Sequence, residues 1–95
     1  MVLVTYDVNT ETPEGRKRLR QVAKVCINHG QRVQNSVFEC LVEPSTWVTF
    51  KAELERIIKP ETDSLRYYFL GKNWQRRVEH IGAKPGYNPE EPLII

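Results

Sequence analysis

The stretch VLVTYDVNTETPEG, residues 2–15, contains the signals for a buried strand that is followed by a helix. Its first five residues are apolar, β-branched or aromatic, as is typical of a strand covered on both faces. Thr12 then supplies a side-chain oxygen that can cap a helix, and Pro13 suits the first helical position. Asp7 lies between the two elements, where apolar character ends. An aspartate before Asn and Thr is ordinary in turns, so this position alone does not assign it a function.

Apolar spacing along the rest of the chain predicts two helices and four more strands. The first helix carries apolar residues at i, i+3, i+4, i+7 and i+8, from Leu19 to Ile27, and Gly30 suits its end. We predict the later elements as a short strand near 31–33, a strand at 36–42, a helix from Pro44 to Pro60, a strand at 64–70 and a short strand at 78–81. The order β-α-β-β-α-β with an extra C-terminal strand predicts an α+β fold, a ferredoxin-like sandwich. Its domain is expected to cover residues 1–82, with residues 83–95 as a tail at a dimer or partner interface.

Length and composition describe one small domain that would gain stability as a homodimer. At 95 residues, with 40% apolar and 27% charged residues, the chain has room for one core. No apolar run approaches the roughly 20 residues that span a bilayer, so no membrane partner is expected. Cys26 and Cys40 lack metal-ligand spacing, which indicates reduced core residues of a cytoplasmic protein. We expect the two chains of the dimer to complete a shared sheet, with the VEHI strand, residues 78–81, crossing over.

The net charge of +2 hides a strong separation of charge along the chain. Residues 15–38 contain six basic and no acidic residues, whereas residues 39–63 contain six acidic and three basic ones. A second basic group follows at Lys72, Arg76 and Arg77. Segregated positive charge that is rich in arginine favours a polyanion partner such as nucleic acid. A solvated helix face is the alternative.

In a ferredoxin-like order the first strand ends beside the start of the first helix, so Asp7 is expected near Arg16, Arg18 and Arg20. Such a carboxylate can form a simple salt bridge, or it can bind Mg²⁺, which takes oxygen ligands and keeps several waters. A twofold axis beside the strand would pair Asp7 with the same residue of a second chain. The pair could then hold one metal ion, polarise a phosphodiester and activate water. Both alternatives stay open from the residues alone.

Other function classes find less support in the residues. The chain has no P-loop, no GxGxxG sequence and no paired metal-ligand motif. The segment after the first strand lacks the Arg and Asn cradle of an acylphosphatase. An RNA-recognition module would expose aromatic side chains on its central strands. We expect instead that at least two of the candidate aromatics are core residues: Tyr6, Phe38, Tyr67 and Tyr68.

Several ordered motifs resemble one family over nearly the whole chain. VTYDV in the first strand, GRKRLR at the start of the first helix and RVQNSVFEC in the next two strands resemble CRISPR-associated protein two, and GKNWQRRVEHIGAKPG resembles the type I-C branch. The resemblance implies a small homodimeric partner of the CRISPR integrase in spacer acquisition. It also implies a metal-dependent endonuclease on double-stranded DNA or single-stranded RNA, with Mg²⁺ as cofactor and Mn²⁺ as its substitute. Relatives of the type I-C branch favour duplex DNA.

The same resemblance assigns roles to individual positions. The family's metal ligand and catalytic residue is the aspartate that closes the first strand, and it falls on Asp7, contributed by both protomers. The accompanying nucleic-acid-binding or supporting positions fall on Tyr6, Arg16, Arg18, Arg20, Arg32, Ser36 and Phe38. A dimer that bridges integrase subunits and holds DNA without cleaving it is the alternative function.

Overall fold

An antiparallel sheet of five strands, with two helices on one of its faces, forms the described part of the chain. The computed structural model describes residues 1–71 and 77–83. The elements in chain order are β1 (Val2–Asp7), α1 (Pro13–His29), β2 (Gln31–Gln34), β3 (Val37–Cys40), α2 (Pro44–Ile57), β4 (Ser64–Phe69) and β5 (Arg77–Gly82). The strand order β2-β3-β1-β4-β5 confirms the predicted ferredoxin-like α+β arrangement with an added strand at one edge. Neither helix is long and apolar enough to cross a membrane.

Alternate residues of β1 build the core between the sheet and the helices. Val2, Val4 and Tyr6 point towards the helices and are buried. Trp47 of α2 packs edge-on against three aromatic rings of this layer, with centroid distances of 4.7, 5.2 and 5.5 Å. Each such buried side chain contributes about 1.5–3 kcal/mol of hydrophobic stabilisation. The intervening residues of β1, which include Asp7, therefore lie on the sheet face that the helices leave uncovered.

The structure confirms the predicted ends of α1, with Thr12 as its N-cap and Gly30 at its C-terminal end. The Thr12 hydroxyl accepts a hydrogen bond from the Gly15 amide at 3.0 Å, and a proline occupies the first turn. The Gly30 amide donates to the Cys26 carbonyl and closes the helix. The predicted apolar stripe is confirmed as far as Cys26 but is wrong at Ile27, which is 57% exposed. A step of about 100° per residue carries position 27 out of the buried stripe.

Some predicted boundaries are wrong by a few residues. β3 is shorter than the predicted 36–42, because Ser36 belongs to the turn before it and residues 41–43 lead into α2. α2 ends at Ile57 rather than at Pro60, because Ile58 has an extended backbone and Pro60 disfavours a helical conformation at Lys59. β2 and β5 each extend slightly beyond their predicted bounds.

β5 completes the sheet of its own chain. It pairs antiparallel with β4 in an unbroken register, from Arg77 opposite Phe69 to Gly82 opposite Ser64. In this single chain the VEHI strand therefore satisfies the β4 edge of its own sheet. Its crossing to a second chain stays a prediction. The homodimer stays a prediction. The second basic group, apart from the backbone of Arg77, and the expected tail beyond residue 83 lie outside the described residues.

Candidate metal and nucleic-acid site

Asp7 is the last residue of β1, and its side chain is exposed on the uncovered face of the sheet. It lies opposite Ser64, the first residue of β4, and Ser64 in turn lies opposite Gly82 of β5. Thr5 and Arg66, two positions away on the same two strands, form the next register pair on this face. A carboxylate, two hydroxyls and a cation therefore occupy neighbouring positions at one end of the uncovered face.

The three arginines at the start of α1 have different environments. Arg16 and Arg20 are exposed. Arg18 is turned inward: its side chain is 17% exposed, and its Nε donates to Oδ2 of Asp63 at 2.8 Å. The Arg18 guanidinium therefore pairs with the other aspartate of the chain. That all three arginines lie near Asp7 stays a prediction.

Helical spacing explains why Arg18 points inward while the other cations of α1 are exposed. Arg18 comes three residues after Gly15 and four before Val22, both of which are buried, so it belongs to the inward side of α1. The cations on the other side are exposed, and we call them the α1 basic face: Arg16, Lys17, Arg20 and Lys24. The phosphate-binding capacity of α1 therefore lies in these residues and not in Arg18.

Asp63 is completely buried and accepts several hydrogen bonds. Besides Arg18, its donors are the amides of Asn9 at 3.0 Å and Lys59 at 2.9 Å and the Thr62 hydroxyl at 3.1 Å. Burial alone would raise the pKa of this carboxyl, but the bonds from Arg18, the two amides and the hydroxyl together hold the pKa below its ordinary value. Sequence reasoning missed Asp63; the signal for it was the inward position of Arg18, because a buried cation requires a partner.

Tyr6, Phe38 and Arg32 form a stacked group on the helix side of the sheet. The centroids of the Tyr6 and Phe38 rings are 6.1 Å apart, and the Arg32 guanidinium lies 5.2 Å from the Phe38 centroid. Both rings are buried, as is Tyr67, which confirms that at least two of the candidate aromatics are core residues. Burial and the nearby Cys26 thiol raise the pKa of Tyr6, and the Arg32 cation opposes this rise.

The end of β1 is supported by the turn between β2 and β3. The Ser36 carbonyl accepts the Tyr6 amide at 3.1 Å, and the Tyr6 hydroxyl donates to the Asn35 carbonyl at 3.4 Å. The positions implied by the resemblance thus divide between two faces. Asp7 lies on the uncovered face, while the Tyr6 and Arg32 side chains lie on the opposite face and support the strand that presents it.

The exposed Asp7 carboxylate fits a sparsely ligated Mg²⁺ ion. Within residues 1–71 and 77–83, no group of three or more His, Cys, Asp or Glu side chains could hold a metal ion. Mg²⁺ usually keeps several waters and is bound by one or two carboxylates together with substrate phosphates. The exposed Asp7 carboxylate is a hard oxygen donor of this kind, whereas its register partner Ser64 is buried.

The family model described as CRISPR associated protein Cas2 matches residues 1–78 of the chain. The chain belongs to the Cas2 family. A relative from Rhodospirillum rubrum, named CRISPR-associated endoribonuclease Cas2 3, is 66% identical over 95 residues, or 100% of both chains. A relative from Halalkalibacterium halodurans, named CRISPR-associated endonuclease Cas2, is 57% identical over 95 residues, or 100% of this chain and 99% of its own. The crystal structure of Streptococcus pyogenes Cas2 at pH 6.5 is 68% identical, has a TM-score of 0.69 and covers 77% of this chain and 88% of that chain.

Membership in the Cas2 family confirms the resemblance found in the sequence motifs. The matched residues run from β1 into β5, so they include Asp7 and the α1 basic face. Similarity to a solved Cas2 structure agrees with the α+β fold. The names of the two Cas2 relatives differ in the activity they state, endoribonuclease in one and endonuclease in the other.

Proposed function

We propose that this Cas2-family chain is a Mg²⁺-dependent endonuclease of CRISPR spacer acquisition that cleaves double-stranded DNA, with Asp7 as its catalytic residue. The observation that carries the proposal is the exposed Asp7 carboxylate at the end of β1, on the uncovered sheet face. Full-length relatives named endonuclease or endoribonuclease support hydrolysis of a phosphodiester. In the same proposal, the protein is a homodimer that holds DNA and bridges CRISPR integrase subunits.

The chemistry proposed for this site is phosphodiester hydrolysis assisted by a metal ion. Bound Mg²⁺, or Mn²⁺ in its place, would supply a Lewis acid for the phosphate and a water of lowered pKa. Asp7 would hold the ion, and Asp7 of the second chain in the homodimer would contribute a second carboxylate. Ser64, which faces Asp7 in register, is buried, so the exposed Asp7 carboxylate is the group that would meet the ion and its waters.

The location of the aromatic rings favours duplex DNA over single-stranded RNA. Proteins that bind single strands stack bases on exposed aromatic side chains. Three of the four candidate aromatics, Tyr6, Phe38 and Tyr67, are buried in the core and not available for stacking. Only Tyr68 of this group is partly exposed. The α1 basic face offers four exposed cations that suit phosphates, which supports sequence-independent binding of a duplex through its backbone.

A DNA-binding bridge without nuclease activity is the second candidate function. The observation that favours it is that the described residues contain no cluster of three metal-ligating side chains, so a tight metal site would depend on a second chain. In that case the α1 basic face alone would carry the function, and Asp7 would be dispensable for spacer acquisition.

Asp7→Asn is the experiment that tests the nuclease. The amide keeps the size of the side chain but removes the charge that attracts the cation, so metal-dependent cleavage of duplex DNA should be lost. The molar mass in light scattering and the affinity for DNA should be retained. Glu11→Gln, which neutralises an exposed carboxylate in the loop after β1, is the matched control and should cleave at the parental rate.

Two results would decide against the nuclease in different ways. Cleavage by purified Asp7→Asn at the parental rate would reject Asp7 as the catalytic residue. Loss of cleavage by Asp7→Asn together with parental spacer acquisition in cells would assign the biological role to the DNA-binding bridge.

A further inference from the structure

Asp63 is a buried carboxylate that the proposed cleavage chemistry does not use. We propose that Asp63 is a positioning residue for Asp7: together with Arg18, it fixes the chain that follows Asp7 and the residue of β4 that faces Asp7. The inference rests on the proposed function of Asp7, because it concerns how that carboxylate is presented to a metal ion and a phosphate.

The Asp63 carboxylate reaches the segment that follows Asp7. Its Oδ1 accepts the Asn9 amide at 3.0 Å, and Asn9 is only two residues from Asp7, a reach of about 7 Å at most. The Asn9 carbonyl oxygen also packs against Gly15 in the first turn of α1, too close to leave room for a Cβ there. The exit of β1 is therefore fixed between a buried carboxylate and the first turn of the helix.

Asp63 also fixes the residue that faces Asp7. Ser64 follows Asp63 directly and is the register partner of Asp7. The Asp63 amide donates to the Lys59 carbonyl at 2.8 Å, and its carbonyl accepts the Ala83 amide at 3.0 Å. Because the backbone of Asp63 is held from both the α2–β4 turn and the end of β5, a shift of Asp63 would move Ser64 relative to β1.

Arg18 neutralises the Asp63 carboxylate and sets its rotation. An ionised carboxylate without a cation is strongly disfavoured in the protein interior, so the pair is needed for the carboxylate to remain ionised. Nε and Nη2 of Arg18 donate to Oδ2 and Oδ1 at 2.8 and 3.4 Å, which leaves Oδ1 facing Asn9 and Oδ2 facing the Lys59 amide. A lysine at position 18 could supply the charge, but its single ammonium group could not impose this rotation.

Catalysis is more sensitive than binding to a displacement of this size. A misplacement of about 1 Å in a catalytic group can cost about a hundredfold in rate, whereas duplex binding through the α1 basic face depends on exposed charge. Removing the Asp63 carboxylate should therefore lower turnover by Asp7 while leaving DNA affinity nearly unchanged. A purely structural role would lower activity only in proportion to the fraction of unfolded protein.

Asp63→Asn is the direct test, with Glu79→Gln as its matched control. The control breaks the 3.1 Å ion pair between Lys51 and Glu79, which lies on the helix side of the sheet, opposite the face of Asp7. In metal-free protein, amide hydrogen exchange at Asn9 measured by NMR should accelerate about tenfold in Asp63→Asn and stay at the parental rate in the control. With Mg²⁺, kcat for duplex cleavage should fall about tenfold or more in Asp63→Asn, while KM stays within about twofold.

Arg18→Lys keeps the experiment decisive if Asp63→Asn does not fold. It retains the charge and removes only the guanidinium fork, so both readouts should change in the same direction by a smaller factor. Parental exchange at Asn9 with parental kcat in a folded variant would overturn the proposal, and so would an equal loss of kcat in Glu79→Gln. Parental cleavage by Asp7→Asn would reject Asp7 as the catalytic residue, whereas an inactive Asp7→Asn beside a fully active Asp63→Asn would reject only the positioning role.

Discussion

Asp7 and Asp63, the only two aspartates of the chain, lie at the ends of paired strands but in opposite environments. Asp7 ends β1 and is exposed, whereas Asp63 directly precedes β4 and is completely buried. Asp63 accepts hydrogen bonds from Asn9, Arg18 and Lys59 inside the fold, whereas the Asp7 side chain is exposed to solvent. Residue type and position beside a strand therefore do not distinguish a structural carboxylate from a candidate ligand; burial and the nearest cation do.

The largest expected difference between the two aspartates is in stability. Asp63→Ala leaves the Arg18 guanidinium and two backbone amides without their acceptor, and should lower the free energy of unfolding by about 3–5 kcal/mol. Asp7→Ala changes an exposed side chain and should alter that free energy by less than about 1 kcal/mol. Urea unfolding followed by circular dichroism measures both values. Equal losses of unfolding free energy in the two variants would contradict the distinction between a structural Asp63 and an exposed Asp7.

A second difference is expected between the arginines that accompany the two aspartates. The double variant Arg16→Ala/Arg20→Ala removes two exposed cations, so affinity for duplex DNA should fall about tenfold, and the slope of log K against log salt should decrease by up to about 2. Arg18→Lys keeps the positive charge that pairs with Asp63, so it should leave the slope unchanged. Fluorescence anisotropy over a salt series measures both. An unchanged slope in the double variant would place the DNA on another surface.

The pH dependence of stability should sharpen the contrast further. Burial tends to raise the pKa of Asp63, but the bonds from Arg18 and the backbone amides outweigh it and lower the folded-state pKa. A carboxyl of this kind stabilises the fold above its unfolded pKa of about 3.9, and its contribution is lost as the pH falls through the folded value. The unfolding free energies of the parental protein and Asp63→Asn should thus differ by a constant amount above about pH 5 and converge below about pH 4. Denaturant unfolding at stepped pH measures this gap, and a gap that persists in acid would contradict the assignment.

The smallest effect is expected at Tyr6, which lies beside Asp7 in sequence but on the other face of the sheet. Its hydroxyl donates a long hydrogen bond of 3.4 Å to the Asn35 carbonyl, and its ring stacks on Phe38. Tyr6→Phe keeps the stacking, so the free energy of unfolding should fall by less than about 1 kcal/mol, and kcat should stay within about twofold. Chemical denaturation and cleavage kinetics check both values. A large loss of kcat in folded Tyr6→Phe would give the hydroxyl a direct role at the site.

The parts of the fold that were predictable from sequence are those with local causes. The Thr12 hydroxyl caps its own helix, and the apolar residues of β1 and α1 recur at the spacing of their own elements. The exposed α1 basic face follows from the same periodicity, because its cations lie opposite the apolar stripe. Asp7 was identified as a candidate because a carboxylate at the end of a mostly apolar strand is a local feature too.

The parts that were not predictable depend on contacts between distant segments. Asp63 is buried because Arg18, 45 residues earlier in the chain, is turned towards it, and no pattern around residue 63 shows this. The pairing of β5 with β4 of the same chain depends on a competition between two possible edges, which a single sequence does not rank. The environment of Arg18 was predictable in part. Helical spacing indicates that its side chain points inward, unlike those of Arg16 and Arg20, but only the structure identifies Asp63 as its partner.

The buried thiols of Cys26 and Cys40 give the chain a built-in reporter of core opening. Neither side chain is exposed, and burial raises the pKa of each to about 12, so almost no thiolate forms at neutral pH. Gly30 closes the space beside Cys40, because a Cβ there would lie 2.6 Å from its sulfur. Labelling with a maleimide therefore requires α1 to separate from the sheet, so the labelling rate measures how often the core opens. Each charge variant can thus be checked for an intact core by thiol chemistry alone, with no introduced probe.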